Sequence, residues 1–179
     1  MRQFNFLAYM KDVAERMPEL AHVDGDRKRQ AFYRSKSILD VGELLQNLTG
    51  SADMVLVVEE SRMGRRYSPH FSTKLNRRTY TFAVLKRQSK SNDFGADQIC
   101  LDAIEDVVRK IESKLDHDCF YDNTHPGDEL YGLRDLLSAE GYNETDFTLG
   151  PGSFIGIIVS FAIEDSANIK YNESDWSAS

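Results

Sequence analysis

The segment from Asp93 to Asp116 constrains the fold of this chain most, because its apolar side chains recur at the spacing of an α-helix. The apolar members form one broad stripe, and they are Ile99, Ala103, Ile104, Val107, Val108, Ile111 and Leu115. Charged side chains fill the opposite side, and Asp93 is suited to cap the first turn. We therefore predict a long amphipathic helix that buries one side against another layer of structure.

Four other segments have the character of strands. Met54–Val58 is a continuous aliphatic run of strand length, and Thr79–Leu85 alternates larger apolar residues with small or hydroxyl-bearing ones. We expect these two strands to pair. After a turn at Gly150–Gly152, Phe154–Ile163 is typical of a buried strand, and Asp146–Leu149 is a further candidate strand.

The remaining elements are shorter. Apolar spacing predicts a helix over Gln3–Met17, which must stop before Pro18. It also predicts a short strand at Ala31–Tyr33, a second amphipathic helix over Ile38–Leu48, and a short helix over Leu130–Leu137. Together these elements indicate an α+β fold: a mostly antiparallel sheet of about four strands, with the long helix packed across one face and a long basic hairpin arm.

The 179 residues fit one domain, and neither an internal repeat nor a linker is evident. Within it we distinguish an N-terminal helical extension (1–37), a basic arm (60–78) and a polar C-terminal tail (165–179). The longest apolar run is much shorter than the roughly 20 residues of a membrane helix, so we expect no membrane span. With no secretory signal visible at the N-terminus, we expect a cytoplasmic protein. Its two cysteines are expected to be reduced thiols, with Cys100 in the core.

Charge is divided into two blocks of opposite sign. Ser61–Lys90 carries nine Arg or Lys residues and no acid, whereas Asn92–Asp146 carries fifteen acids against four basic residues. The chain as a whole has a net charge of −7. Such a separation concerns partners rather than fold.

The connector between the two paired strands, Glu60–Arg78, is long for a hairpin loop, which suggests a functional arm or a disordered tip. One interpretation is an assembly arm that contacts the acidic surface of a neighbouring copy. A second is a nucleic-acid-binding module that uses Arg62–Lys90, and a third is an arm that is merely solvated. We favour assembly, because the net negative charge of the chain repels DNA and makes nucleic acid an unlikely specific ligand.

The assembly interpretation names residues on both sides of the contact. The expected contact residues on the arm are Arg62, Arg65, Arg66, Tyr67, Phe71, Arg77 and Arg78. Those on the outer side of the long helix are Asp102, Glu105, Asp106 and Glu112. Charge complementarity would supply orientation and association rate, and apolar arm residues would supply much of the affinity.

No catalytic signature accompanies these features, so we assign no catalytic, cofactor-binding or metal-binding residue. The densest polar group, Asp116–Cys119 with Asp122 and His125, contains every ligand type that zinc accepts, and a metal-dependent hydrolase is the third functional alternative. Adjacent residues on one backbone point apart, however, which favours a solvated helix end running into a polar loop. His22 and His70 lie in predicted loops, and we interpret both as surface histidines.

The order of elements resembles that of the tail-terminator and head–tail completion proteins of tailed bacteriophages. The resemblance spans about Ile38–Ile163 and is carried by Met54–Glu60, Arg78–Arg87, Ala96–Leu115 and Gly152–Ile163. It implies a small, non-enzymatic α+β subunit that forms a hexameric ring, stops growth of the tail tube and joins tail to head. It also implies no cofactor, other tail or head-completion proteins as partners, and a location in the host cytoplasm during assembly and then in the virion.

Overall fold

The computed structural model describes residues 5–38, 48, 51–59, 62–67, 74–88, 94–118, 137–149 and 154–167. The elements within them are, in chain order, α1 (Phe6–Arg16), a 3-10 helix (Arg27–Arg29), β1 (Phe32–Ser35), β2 (Met54–Glu59), β3 (Arg62–Tyr67), β4 (Lys74–Arg87), α2 (Phe94–His117), β5 (Leu137–Leu149) and β6 (Phe154–Ala167).

The described strands form one six-stranded sheet in the order β1-β2-β4-β6-β5, and β3 also pairs with β4. Strands β1 and β2 are parallel, and every other described pair is antiparallel. The long helix α2 packs on β4 and β6 at the centre of the sheet. This arrangement confirms the predicted α+β class, with a mostly antiparallel sheet and the long helix across one face.

The predicted pairing of the two apolar strands is confirmed. Val55 lies opposite Leu85, and Val57 lies opposite Ala83, in the antiparallel β2–β4 pair. The predicted buried strand Phe154–Ile163 is also confirmed as part of β6, which pairs with β4 over the full length of both. The central strands are therefore those whose sequences are most continuously apolar, as burial on both faces requires.

Alternation along the strands divides the core into two layers. The layer between the sheet and the helices contains Leu56, Phe82 and Ile157 together with buried residues of α1 and α2. The layer on the opposite face contains Val55, Val57, Leu85 and Phe154, which pack with Ile38 and Leu48. Both faces of the sheet centre are thus covered.

Helix α2 buries the predicted stripe, with one exception. Ile104, Val107, Val108 and Ile111 are buried, whereas Ile99 is 69% exposed, so its assignment to the stripe was wrong. The residue buried in the first turns is Cys100, at 8% exposure, which confirms its predicted place in the core. One residue of offset rotates a side chain about 100° around the helix axis, which is enough to turn Ile99 away from the sheet.

Helix α1 joins the same core. The Asn5 side chain caps it by accepting a hydrogen bond from the Ala8 amide at 3.2 Å. The helix ends at Arg16, and Met17 is extended, as the predicted stop before Pro18 requires. Phe6 is one of the α1 residues buried in the main layer.

The other predicted elements have mixed outcomes. The short strand at Ala31–Tyr33 is found as β1, and Asp146–Leu149 is found within the longer β5. The predicted helix Ile38–Leu48 lies outside the described residues apart from its two ends, and so does the turn at Gly150–Gly152. The predicted helix Leu130–Leu137 also lies outside them except for Leu137, where it is wrong, because that residue begins β5 and pairs with Ile163.

Candidate functional site

The basic arm extends the sheet. Residues Arg62–Tyr67 and Lys74–Thr79 pair as an antiparallel two-stranded ribbon, here called the basic ribbon. Val58 of β2 pairs with Phe82, and Arg62 of β3 pairs with Thr79. The chain from β2 to β3 therefore has one more residue between these two pairs than β4 has. Residues 60 and 61, which lie between these two pairs, are outside the described residues.

The basic ribbon contains most of the predicted contact residues. Arg62, Arg65, Arg66 and Tyr67 lie in β3, Arg77 and Arg78 lie in β4, and Phe71 lies outside the described residues. Two further basic residues of the Ser61–Lys90 block serve the fold instead. Lys86 donates a hydrogen bond to Asp53 at 2.8 Å, and the Arg87 guanidinium lies 4.7 Å from the centre of the Phe154 ring.

The second edge of the basic ribbon pairs with acidic residues of the same chain. In the β4–β6 ladder, Arg77 lies opposite Glu164 and Asn76 lies opposite Asp165. Sequence reasoning missed this relationship because it ended the strand at Ile163 and treated the following residues as a tail. The available signal was the absence of Gly or Pro directly after Ile163, which leaves nothing to stop the strand.

The predicted acidic partners lie on α2. Asp102 accepts a hydrogen bond from Gln98 at 2.8 Å, and Glu105 accepts one from Arg109 at 3.0 Å. Asp106 is exposed, and Glu112 is half-buried. Arg109 and Lys110 lie between these acids along α2. The outer side of α2 therefore carries charges of both signs, and it is less acidic than the composition of Asn92–Asp146 indicates.

The backbone pairing of the basic ribbon, as far as the structure describes it, involves strands. Every described register partner of the ribbon lies in β3, β4 or β6. Lys74, at the outer end of β4, is six residues beyond the core residue Tyr80. At about 3.3 Å per strand residue, that is roughly 20 Å along β4. The outer end of the ribbon therefore reaches away from the core that α2 covers.

An apolar cavity of about 300 Å³ lies between α1, α2 and the sheet, and we call it the α1–α2 cavity. All of its apolar lining residues except Leu115 are at most 4% exposed, so little of its wall reaches solvent. Its apolar lining residues are Phe6, Met10, Phe82, Ile111, Leu115, Val159 and Phe161. Two carboxylates, Glu112 and Asp116, complete the lining. Asp116 is exposed and Glu112 half-buried, so these carboxylates mark the mouth of the cavity. Glu112 was one of the predicted contact residues and Asp116 belonged to the zinc alternative, but the apolar members of the lining gave no signal in the sequence because they match ordinary core positions.

The polar group at the end of α2 is built differently from a solvated helix end. Asp118 is only 6% exposed, so the interpretation of this residue as solvated was wrong. Its carboxylate accepts hydrogen bonds from the Lys114 ammonium at 2.8 Å and from the Tyr9 hydroxyl at 2.9 Å. Burial acts to raise the pKa of Asp118, but the bonds from Lys114 and Tyr9 outweigh it and hold that pKa below its usual value.

Three members of the zinc alternative, Cys119, Asp122 and His125, lie outside the described residues. Of the described members, Asp118 already has the Lys114 ammonium against its carboxylate, where a metal cation would have to bind. His117 Nδ1 lies 3.5 Å from Asp118 Oδ1. These contacts give Asp118 a structural role in the fold.

His22 is buried, at 5% exposure, so its interpretation as a surface histidine was wrong. Its Nδ1 accepts a hydrogen bond from the Ala31 amide at 3.2 Å, and its Nε2 lies 2.9 Å from Asp24 Oδ1. A neutral imidazole that accepts at Nδ1 carries its proton on Nε2 and donates it to Asp24. The sequence around His22 does not reveal this contact, because Ala31 lies nine residues further along the chain.

Glu15, His22 and Asp24 bring three ligand atoms within 4.8 Å of one another, a spacing that suits a metal ion. The Lys11 ammonium, however, bonds Asp24 and lies 3.7 Å from Glu15, so a cation already balances these carboxylates. The Nε2 proton also removes the lone pair that a metal would need from His22. The cluster therefore has the chemistry of a hydrogen-bonded fold element.

Comparison with known proteins adds no family. No protein-family model matches the chain, and no curated protein matches it significantly. Of the helices that the structure describes, none combines the length and the apolar character needed to cross a bilayer.

Proposed function

We propose that this protein is a non-enzymatic structural subunit that assembles with copies of itself through the basic ribbon. The observation that carries the proposal is the composition of the ribbon: six of the twelve residues in Arg62–Tyr67 and Lys74–Thr79 are Arg or Lys, and none is acidic. Among the described strands, β3 pairs only with β4, so it is an edge strand of the described sheet. Basic residues on an edge strand oppose indiscriminate pairing and favour an acidic partner.

The concrete version of the proposal is a phage or prophage tail terminator or head–tail joining protein that forms a ring, which the family resemblance makes a ring of six subunits. Its support is the layout of a small α+β domain with a long basic hairpin between two central strands, followed by a long helix and closing strands. The partners would be further copies and other tail or head-completion proteins. The protein would act in the host cytoplasm and then in the virion.

A concentration series in multi-angle light scattering tests the proposal. A closed ring predicts monomers in dilute solution and a single large species at high concentration, because a ring that closes has a fixed number of subunits. An unlimited ladder of species would contradict the ring, and monomers at every concentration would contradict self-assembly.

Nucleic-acid binding is the second candidate, and one observation favours it. An antiparallel two-stranded ribbon fits the major groove of DNA, and half of this one is basic. Against it, Glu164 and Asp165 lie on β6 directly beside the ribbon, and their negative charge opposes the approach of phosphates. Fluorescence anisotropy with duplex and single-stranded DNA decides between them, because phosphate binding weakens steeply with added salt. No binding at low salt would eliminate this candidate.

A further inference from the structure

We infer that the exposed side of α2 around Ile99 receives the basic ribbon of a second copy, with Ile99 as the apolar contact. We call this surface, formed by Ile99, Asp102, Ala103 and Asp106, the Ile99 face. The inference rests on the proposed self-assembly and names a receiving site for it. From the sequence we expect four acids of α2 in the contact and Ile99 in the core. The exposure of Ile99 instead adds an apolar group to the acidic surface.

Ile99 stands out among the side chains of the described residues. It is 69% exposed, and no other large apolar side chain that the structure describes is exposed. Ala103, one turn later on α2, is half-buried. Successive residues lie 100° apart around a helix axis, so Ala103 is about 40° and Asp106 about 20° from Ile99. Apolar and acidic groups therefore share one side of α2.

The two acids of the Ile99 face are not bonded to a cation. Asp102 is exposed and accepts a hydrogen bond from the uncharged Gln98 amide at 2.8 Å. Asp106 is exposed and makes no hydrogen bond within the described part of the chain, and Lys110, which attracts it, is bonded to Glu19. Both carboxylates can therefore accept charge-assisted hydrogen bonds from a partner without breaking an ion pair of their own.

The other two acids expected in the contact are less suitable. Glu105 pairs with Arg109 at 3.0 Å. Glu112 is half-buried and already has an interaction within the chain. The structure therefore favours the pair of acids beside Ile99 over the rest of the outer side of α2.

The basic ribbon complements this face in composition. Half of its twelve residues are Arg or Lys, none is acidic, and Met63 and Leu75 are apolar. Protein interfaces combine an apolar centre with a polar rim, and opposite charges direct association. Ile99 is exposed within its own chain, so the ribbon that covers it has to come from another copy. A contact between two different patches of identical chains is heterologous, as a ring requires.

Self-association of full-length variants, measured by sedimentation velocity at low salt, tests this contact. The apolar variant is Ile99→Gln, and Ile99→Leu is its control because it keeps an apolar side chain. The charge variant is Asp106→Lys, and its matched control is Asp116→Lys. Asp116 is also an exposed acid of α2, and its reversal changes the net charge equally. It lies about 100° from Ile99 around the helix axis, away from the Ile99 face.

Ile99→Gln should weaken self-association about tenfold, because it removes the apolar contact from the centre of the interface, whereas Ile99→Leu should associate like the wild type. Asp106→Lys should weaken it by about tenfold or more, because it places like charge against the ribbon. Asp116→Lys should change it by less than about twofold, because solvent and salt screen a charge outside the contact. Thermal unfolding checks that each variant is folded.

A charge exchange within one chain identifies the partner of the Ile99 face. The ribbon variant, Arg65→Glu with Arg66→Glu, should lose self-association. Adding Asp102→Lys and Asp106→Lys to it should recover association by about tenfold, because the two surfaces then have opposite charges again. Adding Asp116→Lys instead should recover none.

Two outcomes would overturn the inference while the proposed function stands. One is wild-type association of Ile99→Gln or of Asp106→Lys when the ribbon variant fails to associate. The other is a charge exchange that recovers nothing although both single variants are weakened, which would mean that the Ile99 face contacts a different surface. Normal assembly of the ribbon variant would instead refute the proposed function itself.

Discussion

The Tyr9 hydroxyl donates a hydrogen bond to Asp118 Oδ2 at 2.9 Å, which joins the first helix of the chain to the end of α2. Lys114, one turn earlier on α2, holds the same buried carboxylate at 2.8 Å. Both helices line the α1–α2 cavity, through Met10 on α1 and Leu115 on α2. The contact between Tyr9 and Asp118 therefore helps to set the spacing of the cavity walls.

The first prediction concerns this bond. Tyr9→Phe should lower the free energy of unfolding by about 1–2 kcal/mol, because it removes one donor from a buried carboxylate while Lys114 remains. Urea unfolding measures the change. As a control, the same substitution in an Asp118→Ala background should have a much smaller effect. Equal effects in both backgrounds would show that the bond does not contribute.

The second prediction concerns pH. Since the folded state holds the pKa of Asp118 below its unfolded value of about 3.8, ionised Asp118 stabilises the fold above that pH. This contribution should be lost as the pH falls below about 4 and through the lower folded pKa. Asp118→Asn should flatten the acid side of a stability curve measured between pH 6 and pH 2. A variant whose curve keeps the wild-type slope would contradict this role.

The third prediction concerns Gly156, which lies opposite Leu85 in the β4–β6 ladder. A Cβ at this position would overlap the Val84 carbonyl oxygen and the Leu85 side chain. Gly156→Ala should therefore destabilise the protein by about 1–3 kcal/mol, as overpacking of a core does. Thr145→Ser is the control, because Thr145 is exposed in the neighbouring strand β5 and the substitution adds no atoms. If the two variants unfold at the same denaturant concentration, the close approach is not present in solution.

The fourth prediction concerns His22. Nitrogen-15 spectra of the imidazole near neutral pH should show a protonated Nε2 and an unprotonated Nδ1, because Nδ1 accepts a hydrogen bond from the Ala31 amide. Addition of zinc should leave these signals unchanged. A proton on Nδ1, or signals that move at stoichiometric zinc, would reopen the metal interpretation of this cluster.

The parts of the fold that could be predicted from the sequence are those with strong apolar periodicity. Val55, Val57 and Leu85 lie in runs whose composition alone indicates a buried strand, and the α2 stripe follows from 3.6-residue spacing. The basic ribbon lacks apolar periodicity, because its residues pair by continuing the ladders of the neighbouring strands beyond the core. For the same reason, the extension of β6 through Glu164 could not be seen in its own residues.

The candidate site was less predictable than the fold. The α1–α2 cavity depends on how α1 and α2 are spaced over the sheet, and no local pattern of Phe6 or Leu115 reveals that spacing. His22 and Asp118 were misplaced because the burial of a polar side chain depends on partners distant in sequence, such as Tyr9 for Asp118. What the segregation of charge says about partners stays a prediction, and the structure shows that Lys86 and Arg87 of the basic block contact residues of the fold.

The most direct test of self-assembly through the basic ribbon is sedimentation velocity of the wild type and the Arg65→Glu, Arg66→Glu variant over a salt series. The matched control reverses Lys28 and Arg29 to Glu, since both are exposed and lie in the 3-10 helix outside the ribbon. At low salt and high concentration, we expect the wild type and the control to sediment as one large species that dissociates as salt screens the contact. The ribbon variant should sediment as a monomer at every salt concentration. A ribbon variant that sediments like the wild type throughout the series would contradict the account.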